Sequence, residues 1–241
     1  MATPIHSYEF LMEDGTMLST EIFYDQPNDW NSSKSRLNLW LKHMYEQGEM
    51  IVGFDTEWTF KHSDIYYKIG VKVVKVALLK LCTQAGCALI KLRVTLIRDY
   101  PFLKNFLINK DTVIAGVHIK EDINNLQSDF GTYIRNAVDL SDLAETVLHQ
   151  PRLTAYGVRG LASRVLLKPW KPRPFNMANA DWCATPLSDE QIKCATVMHM
   201  LHTKLRKSYY LSCRSRNVFM LQREYCIQLA CRCSKMVLVT F

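Results

Sequence analysis

The feature that most constrains this chain is an apolar run that ends in two acidic residues. Residues 51–54 (Ile-Val-Gly-Phe) are continuously apolar, which is typical of a strand buried on both faces of a sheet. Asp55 and Glu57 follow directly, separated by a single residue. Residues i and i+2 of an extended chain project from the same face. The two carboxylates are therefore expected to point into one small volume.

Two carboxylates this close repel each other unless a cation neutralises them. Hard oxygen ligands select Mg²⁺ or Mn²⁺ over softer metals, so the pair predicts a divalent metal site. A solvated strand end without a ligand is the alternative interpretation. A third carboxylate, Asp122, follows the apolar run 112–119. It either caps a helix N-terminus or joins the first pair, because parallel strands bring their carboxyl ends to one sheet edge.

The other apolar patterns predict strands first, then strands interleaved with helices, and mainly helices after residue 141. The predicted strands are two runs within 5–24 around an Asp-Gly turn, 50–54, 71–82, 87–92, 112–119 and 136–140. The predicted helices are 33–47, 100–109, 121–130, 156–167 and one that opens with the capping box Ser188-x-x-Gln191. This order favours an α/β fold around a mixed sheet.

Charge is distributed unevenly along the 241 residues. Residues 1–150 contain 15 Lys and Arg against 19 Asp and Glu, whereas residues 151–241 contain 15 against 4. A basic half beside an acidic half fits a polyanion-binding surface next to a carboxylate cluster. A solvated basic face without a partner is the alternative.

The chain shows no sign of a membrane or secretory protein. Its first ten residues lack the basic start and apolar run of a signal peptide, and no segment approaches the roughly 20 apolar residues that span a bilayer. We therefore expect an intracellular protein, in the nucleus, the cytoplasm or both. The eight cysteines lack a CxxC pair and are expected to be reduced; Cys231 and Cys233 have no second pair to complete a metal site.

Several segments together resemble the Werner syndrome-type 3′→5′ exonucleases, which belong to the DEDDy group. Residues 51–58 (IVGFDTEW) are similar to the first exonuclease motif of that family, most closely in its small single-domain plant-type members. The other similar segments follow in the family's order and approximate spacing: 77–82, 116–122 with Leu126 and 129–131, 138–144, 156–162 and 187–191. The resemblance extends over residues 5–206, so residues 1–206 are predicted to form the exonuclease-like domain.

The resemblance implies a ribonuclease H-like mixed β-sheet flanked by helices, and hydrolysis of DNA or RNA from the 3′ end. In such enzymes two divalent ions, Mg²⁺ or Mn²⁺ and about 4 Å apart, stabilise the attacking water and the leaving 3′ oxygen. By carry-over, Asp55 would bridge both ions, Glu57 would bind one, and Asp122 would act on the second largely through water. These three residues are the predicted catalytic residues and metal ligands, and single-stranded nucleic acid is the expected partner.

The third motif of the family, Tyr-x-x-x-Asp on the last helix, is altered here. Cys194 stands at the tyrosine position and Met198 at the aspartate position. A thioether is a poor ligand for Mg²⁺, and misplacing the attacking water costs on the order of 10²-fold or more in rate. Two hypotheses follow: an exonuclease with reduced activity, and an inactive pseudo-exonuclease that binds nucleic acid or a protein partner.

Two further residues are candidates for nucleic-acid contacts. Lys80 stands where relatives commonly carry glutamine, and it is either solvated or bound to phosphate. Trp58 either stacks on a terminal base or packs beneath the site. The basic, Cys-rich residues 207–241 lie beyond the resemblance; they are either an unrelated extension or a single-strand-binding segment.

Overall fold

The computed structural model describes residues 7–11, 15–24, 30–48, 51–61, 73–83, 86–92, 100–197 and 204–205. Met198 and the extension 207–241, with Cys231 and Cys233, lie outside these residues. Within the described part of the chain, no helix is long and apolar enough to span a bilayer.

A seven-stranded mixed sheet forms the centre of the molecule. Its strands are β1 (Ser7–Leu11), β2 (Met17–Phe23), β3 (Ile51–Lys61), β4 (Val73–Cys82), β5 (Cys87–Lys91), β6 (Val113–Gly116) and β7 (Ala137–Asp139). Their order across the sheet is β1-β2-β5-β4-β3-β6-β7. Strands β2–β5, β3–β6 and β6–β7 pair in parallel and the other neighbours are antiparallel. The predicted mixed α/β sheet is confirmed.

The helices begin and end at local signals in the sequence. They are α1 (Trp30–Glu46), α2 (Pro101–Leu107), α3 (Ile119–Phe130), α4 (Leu140–Leu148), a 3₁₀ helix (Pro151–Ala155), α5 (Val158–Val165), α6 (Phe175–Ala178) and α7, which begins at 189 and is described through 197. Helix α3 ends at Gly131, whose φ of 62° suits glycine. The predicted capping box opens α7: the Gln191 backbone N–H donates to Ser188 Oγ, and the Ser188 N–H donates to Gln191 Oε1.

The alternation of side chains along β3 and β4 divides the core into two layers. On one face, apolar residues of β3 and β4 pack against apolar residues of α1, α2 and α3. The strand residues are Val52, Phe54, Leu79 and Leu81, and the helix residues are Leu37, Leu103 and Leu126. On the other face, the sheet packs against α4, α5, α7 and Trp182. Each such buried side chain stabilises the fold by about 1.5–3 kcal/mol, so both faces of the central strands are fixed by packing.

Strand β3 is longer than the sequence predicted. The apolar run ends at Phe54, but the strand continues to Lys61 because β4 pairs with it along its whole length. A register shift falls between Glu57 and Trp58. Asp55 and Glu57 therefore lie within a ladder of backbone hydrogen bonds, which a pattern of apolar residues does not reveal.

The β4–β5 hairpin brings two cysteines together. Cys82 and Cys87 face each other in the ladder and are joined as a disulfide. The expectation that every cysteine is reduced is wrong for this pair, because the register of the hairpin places both side chains at its closed end. Cys183 and Cys194 are free thiols.

A buried lysine attaches the loop before α7 to the sheet. Lys91 of β5 donates to the carbonyl oxygens of Trp182 and, at 2.9 Å, of Ala184. Trp182 in turn packs against Leu78 and Leu89. Burial lowers the pKa of Lys91 from its ordinary 10.5 to about 8, although Cys183 and Asp181 act in the opposite direction. The sheet and the loop are thus joined through one partly desolvated ammonium group.

Replacing Lys91 with methionine should lower the free energy of unfolding by about 1–3 kcal/mol, because two buried carbonyls lose their donor. Between pH 8 and 10.5 the unfolded state binds more protons at Lys91 than the folded state does. The free energy of unfolding of the wild type therefore increases as the pH rises through this window. The difference between this free energy and that of Lys91→Met should increase with it. Denaturant unfolding measures both effects, with the exposed Lys168→Met as control; equal stabilities of wild type and Lys91→Met would contradict this anchoring role.

Candidate active site

The paired carboxylates of β3 share their space with a buried lysine. Lys80 lies directly opposite Asp55 in the β3–β4 register, and opposite residues of an antiparallel pair project from the same face. The Lys80 side chain has no exposed surface. Its ammonium group donates to Glu57 Oε1 at 2.8 Å and forms an ion pair with the Asp55 carboxylate. The side chain of Lys80 thus binds both acidic residues of the D-x-E pattern.

A second cation reaches the site from the segment before α6. Arg173 Nη2 donates to Glu57 Oε2 at 2.8 Å and to the carbonyl oxygen of Met177 at 2.9 Å. Its guanidinium carbon lies 5.5 Å from the centre of the Trp182 ring, within the range of a cation–π contact. The Glu57 side chain, only 7% exposed, therefore has a cation on each oxygen.

Asp122 lies on the opposite side of β3 from this ion cluster. It is in the first turn of α3 and accepts a hydrogen bond from the Thr56 hydroxyl. The Thr56 oxygen accepts the indole N–H of Trp58 at 2.6 Å. Burial, and after it the charge of Asp55, raises the pKa of Asp122 to about 8. The third predicted catalytic carboxyl is thus held in a chain of neutral hydrogen-bonding groups.

The N-terminus of α3 is capped by a different acid. Asp139, at the end of β7, accepts the backbone N–H groups of Ile119 at 3.1 Å and His118 at 3.3 Å. The same carboxylate accepts the N–H and hydroxyl of Ser141 at the start of α4. Of the two roles predicted for Asp122, capping is therefore taken by Asp139, and Asp122 faces the β3 residues.

The remaining predicted site residues have distinct environments. Cys194 is buried on α7, and desolvation raises the pKa of its thiol although Arg173 acts to lower it. Trp58 is half-buried and packs against the core cluster of α1, α2 and α3. Lys80 was predicted to be solvated or bound to phosphate. In the structure its ammonium group instead contacts the carboxylates of Asp55 and Glu57. Met198, predicted to stand at the aspartate position of the third motif, is outside the described residues.

Sequence reasoning missed the most distant member of this site. Arg173 is 116 residues from Glu57, and nothing in its local pattern marks it as a partner of β3. In the part of the chain that the structure describes, no three His, Cys, Asp or Glu residues are placed to hold a metal ion. What the arrangement provides is a buried cluster of two carboxylates and two organic cations.

Comparison with known proteins places this geometry in a family. A family model described as 3′-5′ exonuclease matches residues 29–208. The mouse (Mus musculus) bifunctional 3′-5′ exonuclease/ATP-dependent helicase WRN is 32% identical over 144 residues, which are 58% of this chain and 9% of that protein. The chain thus matches less than a tenth of the length of this curated relative.

Solved structures show the same fold at low sequence identity. Escherichia coli RNase D, an exoribonuclease involved in structured RNA processing, has a TM-score of 0.58 and 15% identity over 86% of this chain and 48% of its own. Trypanosoma brucei RNase D in complex with RNA U12 has a TM-score of 0.60 and 14% identity over 79% of this chain and 62% of its own. Because the family model covers most of the sequence and the mixed sheet agrees with these neighbours, the chain belongs to the 3′-5′ exonuclease family with a ribonuclease H-like fold.

Proposed function

We propose that this member of the family binds the 3′ end of a single nucleic-acid strand, in the nucleus or cytoplasm, without hydrolysing it. One observation carries the proposal: the Lys80 ammonium occupies the space between Asp55 and Glu57. In the family, that space would belong to divalent ions. A site already filled by a fixed internal cation keeps the shape of an exonuclease but lacks the centre that activates water.

The charges of the cluster support this proposal. Asp55 and Glu57 contribute two negative charges, and Lys80 and Arg173 contribute two positive charges in direct contact with them. At an effective dielectric constant of 20 and a distance of 4 Å, a divalent ion gains about 8 kcal/mol from each carboxylate and loses about the same to each cation. The four contributions cancel, so the cluster offers little net attraction to Mg²⁺ or Mn²⁺.

The groups present therefore do not fit the two-metal site that the family implies. Asp122 offers an oxygen that already accepts the Thr56 hydroxyl, and Cys194 offers a buried thiol where the family has tyrosine. Hard cations require free oxygen ligands.

Binding of nucleic acid is supported by charge and by fold. Residues 151–197 contain seven Lys and Arg against three Asp and Glu, which favours contact with a phosphate backbone. The Trypanosoma neighbour of the same fold is in complex with RNA. Trp58, which packs on the α1–α3 side of β3 and is partly exposed, provides an indole ring on which a terminal base would stack.

Hydrolysis is the second candidate function. It is favoured by the three acids of the first two motifs, Asp55, Glu57 and Asp122, which are all present. In that case substrate and metal would have to displace Lys80 together from its two partners. A protein partner in place of nucleic acid is the other outcome that the binding measurement below would reveal.

We expect no shortening of 3′-ended single-stranded DNA or RNA by the wild-type protein with Mg²⁺ or Mn²⁺, measured on denaturing gels. The triple variant Lys80→Gln/Cys194→Tyr/Met198→Asp should gain at least about 10²-fold in rate, because it frees the carboxylates and restores the groups that position the nucleophile. Asp55→Ala is the matched control for contaminating nuclease. Wild-type turnover that Asp55→Ala abolishes would establish hydrolysis instead.

Lys80→Met should be destabilised by about 3 kcal/mol in EDTA, because Asp55 and Glu57 lose their shared cation. Excess Mg²⁺ should restore part of that loss, whereas it should leave the melting temperature of the wild type unchanged. Differential scanning calorimetry measures both. Lys75→Met is the matched control, since Lys75 lies on the same strand and pairs with Asp129 at 2.7 Å, outside the cluster. If Mg²⁺ raised the melting temperature of the wild type as much as that of Lys80→Met, the interpretation of a cation-filled site would be wrong.

The wild type should bind a 3′-ended single strand without divalent ions, with an affinity that falls steeply as salt rises. Trp58→Ala should weaken binding about 10-fold, in line with roughly 1–3 kcal/mol per stacked base, and Trp58→Phe should recover most of it. Fluorescence anisotropy measures the affinity, and Phe102→Ala on α2 is the control for an exposed aromatic elsewhere. No saturable binding of any strand would contradict nucleic-acid binding and would leave a protein partner as the alternative.

A further inference from the structure

A cavity lies beside the carboxylate cluster, between the segment 170–177 and helix α7. Its volume is about 410 Å³, within the roughly 300–1,000 Å³ of small-molecule sites. Neither the acids of β3 nor Lys80 and Asp122 line it. The cavity is therefore separate from the ion cluster, although Cys194 contributes to its wall.

The polar wall of the cavity is mainly basic. Arg159 of α5, Lys171 and Lys193 of α7 line it, against a single acid, Glu190. The Arg159 side chain donates to the Lys171 carbonyl oxygen, which fixes these two basic residues relative to each other. Lys193 is exposed and forms no ion pair with any residue that the structure describes. Three basic residues in the wall of one cavity favour an anionic ligand.

The apolar wall contains one aromatic ring. Trp170 lines the cavity together with Pro172, Pro174 and Met177. The indole nitrogen of Trp170 is buried and, within the described part of the chain, has no hydrogen-bond acceptor. Buried polar groups normally have a partner. An indole beside proline rings offers a stacking surface for a planar ligand group, as the aromatic platforms of nucleic-acid-binding proteins do.

From this combination we propose that the cavity binds one nucleoside monophosphate unit, either free or at the end of a strand. Its phosphate contacts Lys193, Lys171 and Arg159, and its base lies against Trp170. This site goes beyond the proposed function, because it uses none of the residues of the carboxylate cluster. Its failure and the failure of strand binding at Trp58 are therefore distinguishable.

Isothermal titration calorimetry with adenosine 5′-monophosphate, without divalent ions, tests the site on the full chain. Saturable binding should be weakened at least 10-fold by Lys193→Glu and by Trp170→Leu. Lys168→Glu is the matched control, since Lys168 is an exposed lysine two residues before the segment 170–177 and does not line the cavity. This variant should change the affinity less than two-fold. Melting temperatures of all three variants establish that they are folded.

The source of the unit is decided by a second titration with a 5′-phosphorylated single-stranded oligonucleotide. If the oligonucleotide competes with adenosine 5′-monophosphate, and this competition is lost in Lys193→Glu, the ligand is the terminal unit of a strand. If only the mononucleotide binds, the ligand is a free nucleotide. Both results support the site. Unchanged affinity in both Lys193→Glu and Trp170→Leu, or no saturable binding by the wild type, overturns it. Inorganic phosphate that binds as tightly as adenosine 5′-monophosphate overturns the contact with the base.

Discussion

The ion pairs of Lys80 are the interaction on which this site depends. An ammonium group with no exposed surface is costly to bury, and here its cost is offset by two carboxylates at hydrogen-bonding distance on a neighbouring strand. The reverse also holds, because Asp55 and Glu57 lie side by side in a strand and would repel each other without it. The two strands therefore fix a cluster that is complete from within the chain, and Arg173 closes its remaining side.

The sheet register explains why this cluster forms without any motif of its own. Asp55 pairs with Lys80 across the antiparallel β3–β4 ladder, and that ladder is fixed by the apolar residues that alternate with them, such as Phe54 and Leu79 on the opposite face. A slip of one residue would move Lys80 to the other face and bury it among apolar side chains. The packing of the core thus determines which charges meet at the site.

Local chemistry made much of the fold predictable, and long-range pairing accounts for what was missed. The hairpin of β1 and β2, the end of α3 at Gly131 and the capping box at Ser188 follow from signals within a few residues. The length of β3 and the burial of Lys80 depend on strand pairing, which no short pattern contains. Asp55, Glu57 and Asp122 were identified as site candidates, but the cations that face them come from a neighbouring strand and from a segment 116 residues away.

The residue that the sequence places at the tyrosine position of the third motif also bears on the cavity beside α7. Cys194, predicted to replace the tyrosine of the family motif, lines the cavity together with Trp170 and Lys193. A phenol ring is much larger than a thiol, so cysteine leaves volume beside α7 that a tyrosine would reduce. The segment 170–177 that forms the opposite wall also carries Arg173 into the carboxylate cluster. A ligand against Trp170 and the ion pair at Glu57 are thereby linked through one short stretch of chain, whose two prolines, Pro172 and Pro174, limit how far either end moves independently.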